Sequence, residues 1–67
     1  MTSLAEFIHN KREMAGYSLF GLSERASIDI KLLGDIESGR ELFLSVSLRQ
    51  KLARVLKCSP SEIKKYE

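Results

Sequence analysis

Cys58 is the chain's only cysteine, and in sixty-seven residues that removes both usual staples of a small fold. One thiol forms no disulfide within the chain, and a zinc site built on cysteine pairs is out of reach. A chain of this length buries only about 60% of the surface it exposes when unfolded. Its fold must therefore rest on tight packing of a small core, with dimerisation as the expected supplement and no room for a large active-site cavity. Hydrophobic residues at 43% beside 30% charged residues are enough to build that core and too apolar for a disordered tail.

The pattern along the chain is helical. Apolar residues recur at gaps of three and four, and Gly16, Gly21, Gly34, Gly39 and Pro60 punctuate them. Ser3 with Glu6 forms a capping box that opens a first helix, whose stripe of Leu4, Phe7, Ile8 and Lys11 runs until Gly16. Ser18 caps a second, short helix from Leu19 to Ala26. Asp29 caps a third, from Ile30 to about Ser38, which Gly39 ends with a left-handed residue. Ser45 or Ser47 opens a fourth, with the stripe Leu48, Leu52, Val55 and Leu56, ending near Lys57. Ser59-Pro60-Ser61-Glu62 then combines a serine cap, a proline at the first helical position and a glutamate three residues after the cap, which starts a fifth. The expected fold is all-α, five short helices in one domain, without repeats or low-complexity segments.

Two short helices joined only by Ser27-Ile28-Asp29 match the spacing of a helix-turn-helix, over about Leu19–Ser38. The order of residue types sharpens that match. Ile8-His9-Asn10-Lys11-Arg12 followed by Gly16-Tyr17-Ser18, then Leu22-Ser23-Glu24-Arg25-Ala26, then Ile28, Leu33 and Ile36-Glu37-Ser38-Gly39-Arg40 resemble the Cro/cI-type (XRE) family of phage and bacterial regulators. Leu52-Ala53-Arg54-Val55-Leu56 and the Ser-Pro-Ser-Glu-Ile ending resemble that family's closing helices. The likeness runs from residue 8 to 63, and Ile36–Arg40 is its most specific piece.

The resemblance implies a compact five-helix, lambda-repressor-like DNA-binding domain. It also implies a partly buried ion pair between Arg12 and Glu37 beneath the motif. A DNA-facing surface would lie at Ser18, Leu19, Ser27, Asp29, Ile30, Lys31, Leu32, Gly34, Asp35 and Arg40. Within that set Lys31 would reach a base edge or phosphate, Arg40 a phosphate after the recognition helix, and Ser18 with Ser27 phosphate oxygens. Ile30 and Leu32 suit thymine methyl groups, and Asp35 would accept from a cytosine amino group. Leu19 stands where the family commonly carries a phosphate-steadying glutamine, so that contact is not implied. The partner expected is double-stranded DNA, read in the major groove at a palindromic site by a homodimer whose third helices lie roughly 34 Å apart. With no separate effector or activation module in view, repression is the expected mode.

The charge distribution qualifies this picture. Net charge is only +2. From Ser18 to Arg40 the acidic Glu24, Asp29, Asp35 and Glu37 outnumber the basic Arg25, Lys31 and Arg40. The positive excess lies later, where Arg49, Lys51, Arg54, Lys57, Lys64 and Lys65 face Glu41, Glu62 and Glu67. These later cations suit phosphate at the flank of a groove. Leu19, Phe20, Ile30 and Leu32 meanwhile form an apolar surface of the kind that marks a protein partner. An alternative therefore stands beside DNA binding: a docking adaptor similar to the helix-turn-helix domain of the bacterial rod-shape protein RodZ, which contacts a cytoskeletal protein rather than DNA.

Other residues read as scaffold. His9 has no His or Cys at ligand spacing and is expected as a solvated side chain, with no metal or other cofactor implied. Cys58 is expected as a small, half-buried packing residue. None of the nine serines has a base with an orienting acid, so no catalytic residue is assigned and an enzyme is not expected. Leu42, Phe43 and Leu44 are either core or dimer contact. No run approaches the roughly 18 apolar residues of a membrane span, and the N-terminus lacks the order of a signal peptide, so the expected location is the cytoplasm.

Overall fold

A computed structural model describes residues 2–67 and places five helices in chain order: α1 (Leu4–Met14), α2 (Leu19–Ala26), α3 (Ile30–Glu37), α4 (Val46–Leu56) and α5 (Pro60–Lys65). No strand occurs among the described residues. Each helix begins at a short polar side chain that accepts one of the backbone N–H groups a helix start leaves without a partner. Ser3, Ser18, Asp29, Ser45 and Ser59 do this work. At Ser3 the capping box is complete, with the Glu6 N–H donating to Ser3 Oγ and the Ser3 N–H donating to Glu6 Oε1, both at 3.2 Å. Of the two serines open for α4, Ser45 is the cap, its Oγ accepting from the Leu48 N–H at 3.1 Å.

The stops are local as well. Gly16 and Gly39 adopt φ of 80° and 87°, the left-handed region that costs a residue with a Cβ more than glycine. Ser27 and Lys57 end α2 and α4 in the same region without being glycine, at φ of 55° and 57°.

Every helix contributes to one core. Ile8 of α1, Leu22 of α2, Leu33 and Ile36 of α3, Leu52 of α4 and Ile63 of α5 are fully buried. Leu4, Phe7, Ala26, Ile28, Leu44, Ala53 and Leu56 close around them. α1 packs on α3 and α5, α2 on α3 and α4, and α4 on α5. The last helix is further held by Tyr66, whose ring stacks on Phe7 with centroids 4.4 Å apart. Leu48 and Val55 sit half-buried at the edge of the core, and Lys11 lays its ammonium 5.7 Å from the Phe7 ring.

The turn between α2 and α3 is tied down by a buried serine. Ser23 Oγ donates to the Ile28 carbonyl at 2.6 Å, and the Ile28 N–H donates to the Ser23 carbonyl at 3.0 Å. Ser23 is itself buried, as are Ala26 and Ile28. With both polar groups of Ile28's turn engaged and its side chain in the core, α3 leaves α2 in a direction set by packing rather than by loop flexibility. No helix among the described residues is long and apolar enough to cross a membrane.

Candidate nucleic-acid interface

Leu33 and Ile36 point into the core, which forces Ile30, Lys31, Gly34, Asp35 and Ser38 onto the outward side of α3 or its edge. Ile30 is 41% exposed and Lys31 is exposed, while Gly34 and Asp35 are half-buried. Gly34 is the least expected residue on this face. A Cβ built there would meet nothing within 4 Å, and its φ is not positive, so neither packing nor backbone conformation requires glycine. Glycine inside a helix costs about 1 kcal/mol relative to alanine. The fold gains nothing visible in return.

The remaining sequence-derived contact residues fall around α3 with differing freedom. Ser18 and Asp29 are the caps of α2 and α3, accepting from the Gly21 N–H at 2.9 Å and the Lys31 N–H at 3.0 Å. The Ser18 hydroxyl retains its proton for donation, whereas the Asp29 carboxylate has none and adds negative charge. Ser27 is exposed in the turn. Arg40 is 81% exposed and lies 3.8 Å from Asp35, an ion pair of the surface kind that contributes at most about 1 kcal/mol and is readily exchanged. Leu19 and Leu32 correct the sequence expectation: both are half-buried and packed against the core. The apolar surface is narrower than four residues, with Phe20 at 63% and Ile30 as its exposed members.

Beneath this face Arg12 and Glu37 meet. Arg12 Nε donates to Glu37 Oε2 at 2.8 Å and Nη2 to Oε1 at 3.0 Å, with the side chains only 13% and 9% exposed. Arg12 Nη1 also donates to the Tyr17 carbonyl at 2.9 Å, so one guanidinium joins α1, the loop before α2 and the end of α3. Its bonds to Glu37 raise the Arg12 pKa above the ordinary arginine value, against an opposing effect of burial. His9 belongs to this cluster and is not the freely solvated side chain expected of it. Its Nδ1 lies 2.9 Å from Glu37 Oε1, and its Nε2 lies 3.4 Å from Glu13. The sequence signal, an i, i+3 and i+4 relation of His9 to Arg12 and Glu13, was present, but Glu37 is 28 residues away and only packing reveals it.

Arg49 is a second correction. Counted from sequence among the cations available to phosphate, it is instead held by Glu67 at 2.9 Å and by the Leu44 carbonyl at 2.7 Å, and is 13% exposed. Cys58 is half-buried and free, and burial, with Glu62 nearby, pushes its thiol pKa up despite Lys11. No group of three or more potential metal ligands occurs among the described residues. Compared with protein-family models, with curated proteins and with solved structures, the chain matches none.

Proposed function

We propose that this chain is a sequence-specific DNA-binding regulator of the Cro/cI-type (XRE) helix-turn-helix class, with a lambda-repressor-like arrangement of its five helices. In this reading α3 enters the major groove as a homodimer's recognition helix, and the expected outcome of binding is repression. The observation that carries the reading is the outward face of α3, where Gly34 keeps the helix low between Ile30, Lys31 and Asp35 without any internal need for glycine. A missing Cβ at such a point lets a partner surface approach the helix backbone closely. Lys31 supplies the donor for a base edge or phosphate, Ile30 the contact for a thymine methyl, and Arg40, held only loosely by Asp35, a phosphate contact at the end of the helix.

A homodimer is supported by the segment after the motif. Leu44 is buried, but Leu42, Phe43 and Val46 are 56%, 73% and 61% exposed, which leaves one contiguous stretch of chain with large apolar groups in water. Sedimentation velocity over a range of concentrations checks this, and a monomer throughout would remove the palindromic-site expectation.

Fluorescence anisotropy with random duplex and a pool of palindromes at about 50 and 200 mM salt tests the main reading, since phosphate-driven binding falls steeply over that range. Salt-sensitive binding weakened by Lys31→Ala and by Arg40→Ala supports it. Absence of binding to any duplex at low salt overturns it, and the exposed Phe20 and Ile30 then favour the protein-docking adaptor as the function.

A further inference from the structure

Three cations without an acidic partner among the described residues meet away from the outward face of α3. Ser47, Gln50, Lys51 and Arg54 stand at i, i+3, i+4 and i+7 on the exposed side of α4, opposite the buried Leu52 and Leu56. Across from them are Arg25, in the last turn of α2, and Ser27. With the apolar Ala26 and Val55, these six residues line an open cleft of about 340 Å³. No acidic residue lines it, and none of Arg25, Lys51 and Arg54 has a carboxylate within 4.0 Å among the described residues. Elsewhere the arginines are spoken for: Arg12, Arg40 and Arg49 each have an acidic partner.

Inside the cleft the internal compensation among the described residues is weak. Lys51 Nζ donates to the Ser27 carbonyl at 3.4 Å, and the Arg25 guanidinium rests 5.9 Å from the centre of the Tyr17 ring. Three like charges brought to one concavity repel one another, and an anion there removes the repulsion while two hydroxyls and a carboxamide supply further donors. The cleft's lining reaches Ser27, the C-cap of α2, three residues before α3 begins at Ile30.

We propose that the cleft between the end of α2 and the exposed side of α4 is a phosphate-binding site, filled by a backbone phosphate of the duplex whose groove α3 enters. The source of the phosphate rests on the DNA-binding reading; the site itself does not. Phosphate contacts position a protein without carrying sequence information, so the cleft sets register and affinity while α3 reads bases.

The test compares the parent chain with Lys51→Gln/Arg54→Gln and with Lys64→Gln/Lys65→Gln, a control of equal charge change on exposed positions of α5. Duplex binding is measured from about 50 to 200 mM salt. The cleft variant is expected to lose about 1–2 units of the slope of log K against log salt, since each phosphate contact contributes about 0.9. Its affinity should fall about tenfold or more on random and preferred duplexes alike, with an unchanged melt, while the control loses less. In parallel, backbone amide shifts are followed during titration with inorganic phosphate, and those of Ser27, Ser47 and Lys51 should move.

Duplex binding with the same slope in the cleft variant overturns the proposal and leaves the DNA-binding reading standing. If the parent binds no duplex yet phosphate moves the cleft amides, the site holds and its source becomes a free phosphate. The absence of both a change in slope and shifts in the cleft overturns it outright.

Discussion

Replacing Arg12 by alanine removes two hydrogen bonds to Glu37 and one to the Tyr17 carbonyl, together with the 3.2 Å contact of Nη2 with His9 Nδ1. What remains matters more than what is lost. Glu37, with a side chain 9% exposed, keeps only His9 Nδ1, and its Oε2 has no protein donor left. Breaking a buried pair by removing one partner costs about 3–5 kcal/mol, because a charge stays behind without compensation. A domain measuring 25 × 22 × 21 Å keeps every atom close to water, so the lower end of that range, about 3 kcal/mol, is the expected cost. For a domain of this size each kcal/mol moves Tm by about 4–8 °C, so Arg12→Ala should melt roughly 10–25 °C lower.

The assay is thermal and urea unfolding of Arg12→Ala, Glu37→Gln and the double variant, followed by circular dichroism. The two changes should be strongly coupled, since the second removes the charge the first leaves behind. The loss should persist at high salt, as screening reaches covered pairs poorly. Arg12's own titration adds no pH dependence below strongly alkaline conditions. Its pKa is raised in the folded state, so its contribution is complete below the ordinary arginine value and is lost only above it. A destabilisation below about 1 kcal/mol, the worth of an exposed pair, would refute the argument that this cluster clamps α1 to the end of α3.

Two further outcomes separate fold from function. Gly34→Ala should raise stability by about 1 kcal/mol, because the added Cβ meets nothing and alanine is the better helix former, while weakening duplex binding. Unchanged affinity would take Gly34 out of the interface. Cys58 should react with iodoacetamide near neutral pH more slowly in the native chain than in urea, since its raised pKa leaves less thiolate. The same shift means that its contribution to stability is present below the thiol's ordinary value and lost as pH rises through the folded one. Cys58→Ser should flatten that part of the alkaline decline, and an identical pH profile would show that the thiol does not titrate differently on folding.

The five helix starts, the glycine stops and the apolar stripes follow from the sequence by itself, because caps and periodicity act over three or four residues and do not depend on the rest of the chain. Even there one choice lay beyond the local rules: Ser45 and Ser47 are both competent caps, and the fold uses Ser45. Arg12 beside Glu37 was legible only through a family likeness, not through spacing.

Tertiary structure alone decided which charges are free. Arg49 and Arg54 look alike in sequence, five residues apart on one helix, yet Arg49 is held by Glu67 and Arg54 has no acidic partner among the described residues. It likewise drew His9 to Glu37, buried Leu19 and Leu32 in part while leaving Phe20 and Phe43 exposed, and brought Arg25 to face Lys51 and Arg54. The pairings of His9 with Glu37, Arg49 with Glu67 and Arg25 with Lys51 and Arg54 join residues 18 to 29 positions apart, and no local rule of helix formation reaches across a turn to say which side chain will be waiting there.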